Sequence, residues 1–373
     1  MEQRVSGRTS FIIIGGGASG VLLAAQLLKS ADPQISVTLV EKSGRFGRGL
    51  AYSTVLDAHL LNVGAQGMSA FADDPDHFRR WLDARGVGPG PDLFFAPRRV
   101  YGDYLADIAA DLAAAGRLKL LHAEALSLAP EGDGVAVALA SGAVLHADAA
   151  ILAVGHDTEA ESAFPFAVRC GEASDAPLAA DAPVLILGTG LSMIDAWLAL
   201  QAQGHRGPVT ALSRRGVLPR PHLAVRPRPL EGVDVPVGAS PARFARWLRR
   251  RVGEHRTEGG DWQNVVDALR PFNQRIWQSW DGAARRRFLR HAKAWWDVHR
   301  HRAAPQIHAG LEAALCASPP ARWKTSGRRP AGWKSRCAGA GRPRPDGSPS
   351  PASTIAPASS GTPAPARMRC CAR

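Results

Sequence analysis

Phe11-Ile12-Ile13-Ile14-Gly15-Gly16-Gly17-Ala18-Ser19-Gly20 sets four bulky apolar residues directly against a glycine turn and the start of a helix. The apolar run fits a short strand buried on both faces. Val21, Leu22, Ala25, Leu27 and Leu28 then recur at helical spacing over Ala18–Lys29. Gly15, Gly17 and Gly20 fill the fixed slots of G-x-G-x-x-G. Gly15 permits the tight turn, Gly17 lets backbone approach a pyrophosphate, and Gly20 lets helix pack closely on strand. The unpaired N–H groups around Ala18 and Ser19 add positive potential for phosphate. A second strand, Ser36–Val40, ends at Glu41, 21 residues after Gly20. A carboxylate there accepts both ribose hydroxyls of an adenosine, with Lys42 beside it, so FAD is the expected occupant.

The pattern begins again after an Ala/Pro-rich linker at 157–182. Pro183–Leu187 reads as a strand, Gly188-Thr189-Gly190 as its turn, and Leu191–Gln203, opening with Leu191-Ser192-Met193, as an apolar helix. Met193 stands in the third glycine slot, so this fingerprint is degenerate and its helix is expected farther from its strand. The next strand, Val209–Leu212, ends in Ser213-Arg214-Arg215 instead of an acid. Arginines there suit a 2′-phosphate through bidentate charge-assisted bonds, which favours NADPH over NADH. A solvated basic turn in a structural repeat is the alternative reading.

Between the two units, residues 44–104 read as loop-rich with short helices. Leu118–Leu121, Val135–Leu139 and Ala143–Leu145 read as β segments, and Ala149–Val154 as a buried strand ending in Gly155-His156. Residues 241–302 read as helical and hold six of the ten tryptophans. The expected fold class is α/β: two Rossmann-like dinucleotide-binding domains (the FAD/NAD(P)-binding fold), with a helical segment and a disordered tail. The expected domains are 1–179 for FAD, 180–316 for NAD(P) with the helical segment, and 317–373 as tail.

The tail explains most of the charge. The chain carries a formal net charge of +13, yet residues 317–373 alone hold eleven Lys/Arg and one acid, Asp346. A nucleic-acid binder would place such charge on a folded patch, so no nucleic-acid partner is expected. Ten prolines and no period of either kind make this stretch disordered by composition. Its Arg/Pro/Ala/Ser mixture is what a GC-rich reading frame yields out of register, so a truncated or frameshifted C-terminus is expected. Only Cys170 lies in the body, with Cys316, Cys337, Cys370 and Cys371 at or beyond the tail boundary. Neither a metal site nor a disulfide framework is expected. No run of about 18 apolar residues occurs, and Phe11–Ile14 is too short for a secretory h-region. The expected setting is the cytoplasm, without a membrane partner, and oligomeric state is not readable.

The chain resembles the bacterial FAD/NAD(P)-binding proteins of the NAD_binding_9 type. The stretches that carry the resemblance are GRGLAYST (47–54), HLLNVGAQGMSA (59–70), DPDHFRRWL (74–82), PRRVYGDYL (97–105), AVGH (153–156), LGTGLSMID (187–195), LSRRGVLP (212–219) and WDVHRHRAAP (296–305). In that family these loops close around a flavin. The resemblance therefore implies flavin contacts at Gly49, Leu50, Ala51, Tyr52, Asn62, Val63 and Met68, and a close approach at Gly155. Asn62 equally suits a loop cap and Met68 a core position; Gln66 has no assigned role. The resemblance further implies an FAD-dependent oxidoreductase that uses NADPH and acts on a small-molecule substrate. Its two-domain plan is that of flavin monooxygenases. Related flavoproteins return to the FAD domain late in the chain, and nothing after Leu315 supplies that return. This favours the alternative of a non-catalytic or inactive truncated nucleotide-binding protein. His156, His299 and His301 are candidate acid/base groups, but only Asp297 lies near the last two in sequence. No catalytic residue is assigned, because a cofactor can carry the redox step. Phe288, Leu289, Ala292, Trp295, Trp296 and His299 share a helical spacing, which predicts one packed amphipathic helix over 285–302.

Overall fold

The computed structural model describes residues 9–29, 32–87, 93–155, 168–169, 178–224, 230–317 and 368–370. The chain divides into two compact units, Met1–Ala163 with His222–Arg226, and Phe164–Pro221 with Pro227–Arg373. His156, Cys170, most of the linker and most of the tail lie outside the described residues.

In the first unit β1 (Thr9–Ile14), α1 (Ala18–Lys29) and β2 (Ile35–Glu41) are followed by α2 (Gly49–Tyr52), α3 (His77–Ala84) and α4 (Arg98–Ala114). Then come β3 (Leu118–His122), β4 (Ala125–Glu131), β5 (Gly134–Leu139), β6 (Val144–Ala147) and β7 (Ala149–Leu152). The order β3-β2-β1-β7 makes a four-stranded parallel sheet, and β4-β5-β6 an antiparallel meander. Alternation along the strands divides the core. Ile13, Val37 and Leu39 pack with α1 and α4, while Ile12 and Val40 pack with Val137 and Leu139 of the meander. Burial on both faces is why β1 is apolar at consecutive positions.

Two elements depart from the sequence reading. β4 is not among the β segments read from sequence, and Leu126 and Leu128 are exposed along it. The 17-residue helix α4 begins inside the stretch expected to be loop-rich. Pro97 sits at its N-cap rather than in a loop, and Gly102 lies on its buried face. A Cβ on Gly102 would come 2.8 Å from the Tyr52 carbonyl oxygen, so glycine here permits contact with α2. Tyr104 of α4 is fully buried, its hydroxyl accepting from the Ala70 N–H at 3.0 Å and bonding His77 Nδ1 at 2.8 Å. This pins the end of the 59–70 loop. Tyr104→Phe should lower stability by about 1–3 kcal/mol in denaturant titration, because the buried Ala70 N–H loses its acceptor.

In the second unit β8 (Val168–Arg169), β9 (Val184–Leu187), α5 (Leu191–Ala202) and β10 (Val209–Leu212) precede six helices. These are α6 (Pro241–Thr257), α7 (Trp262–Ala268), α8 (Asn273–Gln278), α9 (Gly282–His291), α10 (Lys293–Arg300) and α11 (Pro305–Ala317). The last strand, β11 (Met368–Cys370), pairs in parallel with β9 and β8, giving the order β10-β9-β11-β8. These three residues lie within the 317–373 tail. The N–H and C=O groups along β9 opposite β10 are a ready template for pairing, which tail composition cannot reveal.

The tryptophans build a second core. Phe244, Leu269, Ile276 and Trp280 are buried there, with Trp247, Phe288 and Trp296 packed against them. The single helix expected over 285–302 is instead two, α9 and α10, meeting at Ala292. The bend removes Leu289 and Trp295 from the packed face, and both are exposed. Among the described residues no helix is long and apolar enough to cross a membrane.

Candidate functional site

At the carboxyl end of the first sheet, Gly15 has φ +107°, and a Cβ on it would overlap the Ala153 carbonyl oxygen. A Cβ on Gly20 would overlap the Gly15 carbonyl oxygen, so Gly20 is what allows α1 to lie against β1. Gly17 differs: its nearest neighbour is Gly49, with the Gly49 Cα 3.3 Å from where a Cβ would stand. Two glycines thus face each other across the turn, and the first-turn N–H groups of α1 have no intrahelical acceptor. This backbone cradle fits a pyrophosphate, the group an FAD or NAD(P) would place there.

Glu41 closes one side. Its Oε2 accepts from the Gly16 N–H at 2.7 Å, and its Oε1 accepts from Ser43 N–H at 2.9 Å and Ser43 Oγ at 2.8 Å. Burial pushes its carboxyl up. The bonds from Ser43 and Gly16, with Lys42 nearby, outweigh this and hold it below its ordinary value. A carboxylate has about four lone-pair sites, so with three bonds made it keeps acceptor capacity for a ribose. Gly16, a free position in the motif, is constrained as well. A Cβ there would stand 2.7 Å from Glu41 Cβ and 2.8 Å from Phe46 Cδ1. Gly16, Ser43 and Gly47, whose N–H donates to Gly16 O at 2.8 Å, belong to the site and were not read from sequence. Gly47 has φ +87°, and the glycine-rich run around it was the available signal.

The flavin-side candidates come from two loops. Gly49, Leu50, Ala51 and Tyr52 form α2; Leu50 is 62% exposed, and the Tyr52 ring meets Tyr101 edge-on at 4.9 Å. The Asn62 carbonyl accepts from His222 Nε2 at 2.9 Å, and His222 packs on Phe95. Met68 packs against the first core, and Val63 Cγ1 is 3.0 Å from where a Cβ on Gly67 would stand. Gly155 has φ +75° and is open on its Cβ side. Lys42 and Ser19 are exposed. The Lys42 carbonyl accepts from His122 Nε2 at 3.1 Å, which ties the loop after β2 to β3.

The FAD-NAD(P)-binding family matches residues 12–157. Over those residues the chain is similar to an FAD-NAD(P)-binding domain. No curated protein matches the chain. Among solved structures, the reduced form of ornithine hydroxylase from Pseudomonas aeruginosa aligns at 15% identity and TM-score 0.48, over 83% of this chain and 69% of that one. The ornithine N-hydroxylase of Kutzneria sp. 744 aligns at 16% and 0.45, over 77% and 68%. A cyclohexanone monooxygenase mutant from Rhodococcus sp. Phi1, bound to NADP+, aligns at 16% and 0.43, over 86% and 61%. Likeness at this level assigns neither substrate nor reaction. The matched stretch contains the glycine turn, Glu41 and both loops that carry the flavin-side candidates.

The second unit repeats the turn. Gly188 has φ +113° and its N–H donates to Leu212 O at 2.8 Å, tying β9 to β10. Gly190 caps α5 in extended conformation with nothing within 4 Å of a Cβ, and Leu191 and Met193 pack into the core behind it. Ser192 is exposed at the start of the helix. Arg214 and Arg215 are exposed after β10, and Arg215 donates to the Arg290 carbonyl at 3.3 Å. Ser213 faces inward. Its hydroxyl bonds Thr189 Oγ1 at 2.8 Å and accepts from the Gly216 N–H at 3.0 Å.

The histidines weighed as acid/base groups differ in setting. His299 donates from Nδ1 to the Trp295 carbonyl at 2.7 Å and stands edge-on to Trp262. Burial, with Arg220 and Arg302 nearby, pushes its pKa below the ordinary value, so the ring is neutral at pH 7. Arg302, three residues on, is buried and bonded to Gln263 and Asp267. The packing of this segment accounts for its aromatic and basic character.

Proposed function

We propose that the chain is an FAD-dependent oxidoreductase that takes electrons from NADPH and acts on a small-molecule substrate, in the manner of a flavin monooxygenase, in the cytoplasm. The observation that carries this reading is the contrast between two β–glycine–α turns on one chain. The first is closed by the hydrogen-bonded carboxylate of Glu41, the second by exposed Arg214 and Arg215. A carboxylate accepts ribose hydroxyls and repels a 2′-phosphate; a guanidinium does the reverse.

In this reading the N–H groups at Gly17, Ala18, Ser19 and Gly20 bind the FAD pyrophosphate, and Glu41 orients the ribose. Gly49–Tyr52, Asn62, Val63, Met68 and Gly155 shape the flavin side. Gly188, Gly190, Leu191 and Ser192 receive the NADPH pyrophosphate, and Arg214 with Arg215 holds the 2′-phosphate. Bound flavin supplies a hydride acceptor and later an electron donor.

Purified protein should be yellow, lose its visible flavin absorbance anaerobically with NADPH, and regain it in air. Yellow protein that NADPH does not bleach would overturn the NADPH assignment. Colourless protein that takes up no added FAD would favour the inactive nucleotide-binding alternative. Glu41→Ala should weaken FAD binding by roughly ten- to a hundredfold, the worth of a charged hydrogen bond, when followed by flavin fluorescence. The pH dependence follows from the lowered carboxyl. Glu41's contribution is intact above its ordinary value near 4.5 and is lost as pH falls through the lower folded value. The Glu41→Ala protein should lack that acid limb.

A further inference from the structure

Thr189 occupies the variable position between Gly188 and Gly190, where the motif asks for nothing, yet with Gln263 and Arg302 it is one of three buried polar or charged residues among the described residues, 6% exposed. Its Oγ1 lies 2.8 Å from the Val217 carbonyl oxygen and 2.8 Å from Ser213 Oγ. The directions of these bonds follow from counting protons. A carbonyl can only accept, so the single Thr189 proton goes to Val217. Ser213 must then donate its proton to Thr189 Oγ1, and Ser213 Oγ accepts from the Gly216 N–H at 3.0 Å. Gly216 has φ +58°, a conformation glycine takes readily, in the turn that follows Arg215. The chain of bonds runs Gly216 to Ser213 to Thr189 to Val217. Arg214 and Arg215 are the two residues between its fixed points.

We propose that Thr189 is a positioning residue that sets dinucleotide preference, by holding the Ser213–Val217 turn so that Arg214 is presented to a ribose 2′-phosphate. This rests on the reading of the second unit as the NADPH holder. The same geometry reassigns Ser213. With its proton committed to Thr189, its hydroxyl supports the arginine turn rather than donating to phosphate. Arg215 is partly committed too, through its bond to Arg290 O, so Arg214 is the arginine the turn presents. A bidentate guanidinium–phosphate contact depends on orientation, so a turn freed to move loses affinity at the phosphate first. In the proposed reading the pyrophosphate, common to NADPH and NADH, is held at Gly188, Gly190, Leu191 and Ser192, outside this turn.

The test is calorimetric titration of the full chain with NADPH, NADH, 2′,5′-ADP and 5′-AMP. The wild type should bind the 2′-phosphorylated member of each pair more tightly. Thr189→Val, close in shape but without the hydroxyl, should lose roughly tenfold or more for NADPH and 2′,5′-ADP, with a much smaller loss for NADH and 5′-AMP. Thr189→Ser, which can make both bonds, should keep the wild-type preference. Ser213→Ala should move the preference in the same direction as Thr189→Val, and carries the test if the valine variant does not fold. Equal losses for both members of a pair, or an unchanged preference, in a wild type that does favour NADPH would overturn the role of Thr189 alone. A wild type with no preference would overturn the NADPH reading, and this inference with it.

Discussion

Gly15→Ala is expected to destabilise the first unit by about 2–6 kcal/mol. Two costs add at this position. The residue sits at φ +107°, where a side chain is strained by about 1–3 kcal/mol. The added Cβ would also overlap the Ala153 carbonyl oxygen, at the point where β1 and β7 run side by side. The overlapped atom is backbone in a strand ladder, so relief requires moving the sheet, at about 1–3 kcal/mol more. Together, at about 2–6 kcal/mol, these reach the lower end of the whole stability of a domain, about 5–15 kcal/mol. Gly253→Ala is the control. Gly253 lies inside α6 with nothing within 4 Å of a Cβ, and alanine there should stabilise by about 0.5–1 kcal/mol. Denaturant titration of both variants separates the steric effect from any general response to replacing glycine. A Gly15→Ala protein with wild-type stability would mean that β1 and β7 do not approach as described.

The second large effect is expected at Asp267. Arg302 is 3% exposed and Asp267 16%; the guanidinium is bonded to Asp267 and Gln263, while Gln263 Nε2 donates to the Pro221 carbonyl at 3.0 Å. Next in sequence, the Ala303 N–H donates to Arg220 O at 2.9 Å, and Arg220 N–H to Val298 O at 3.0 Å. This cluster ties the chain beyond β10 to the helical segment of the same unit. Asp267→Asn would leave a buried guanidinium without a counter-charge, at about 3–5 kcal/mol. Removing both charges, as Asp267→Leu with Arg302→Met, should recover most of that loss, since the pair itself contributes little net stability. A double variant as unstable as the single one would show that packing, not charge, is what the site supplies.

The two glycine turns were legible from sequence for the same reason the structure keeps them. Each pairs a compact apolar strand with an amphipathic helix, and both periods are local properties of the chain. The acid after β2 and the arginines after β10 were legible because strand ends fix which residues reach the turn. The neighbours of those residues were not. Gly16 and Ser43 matter only because Glu41 folds back between them, 25 residues from Gly16 in the chain. The helix α4 starts inside a stretch that reads as loop-rich, and only the fold gives Pro97 its N-cap place and Gly102 its approach to Tyr52.

The sequence by itself determined the α/β class, the order of two dinucleotide-type units, and the glycine positions that only glycine can fill. It did so because backbone sterics and hydrophobic period act over a few residues at a time. Tertiary structure alone decided which polar atoms are already spoken for. Ser213 reads only as the neighbour of Arg214 and Arg215 until Thr189, 24 residues earlier, engages its hydroxyl. Arg302 reads only as the end of a helical aromatic and basic segment until Asp267 and Gln263, 35 and 39 residues away, bond it inside. A hydrogen bond needs both partners in place, and a single residue in sequence names only one of them.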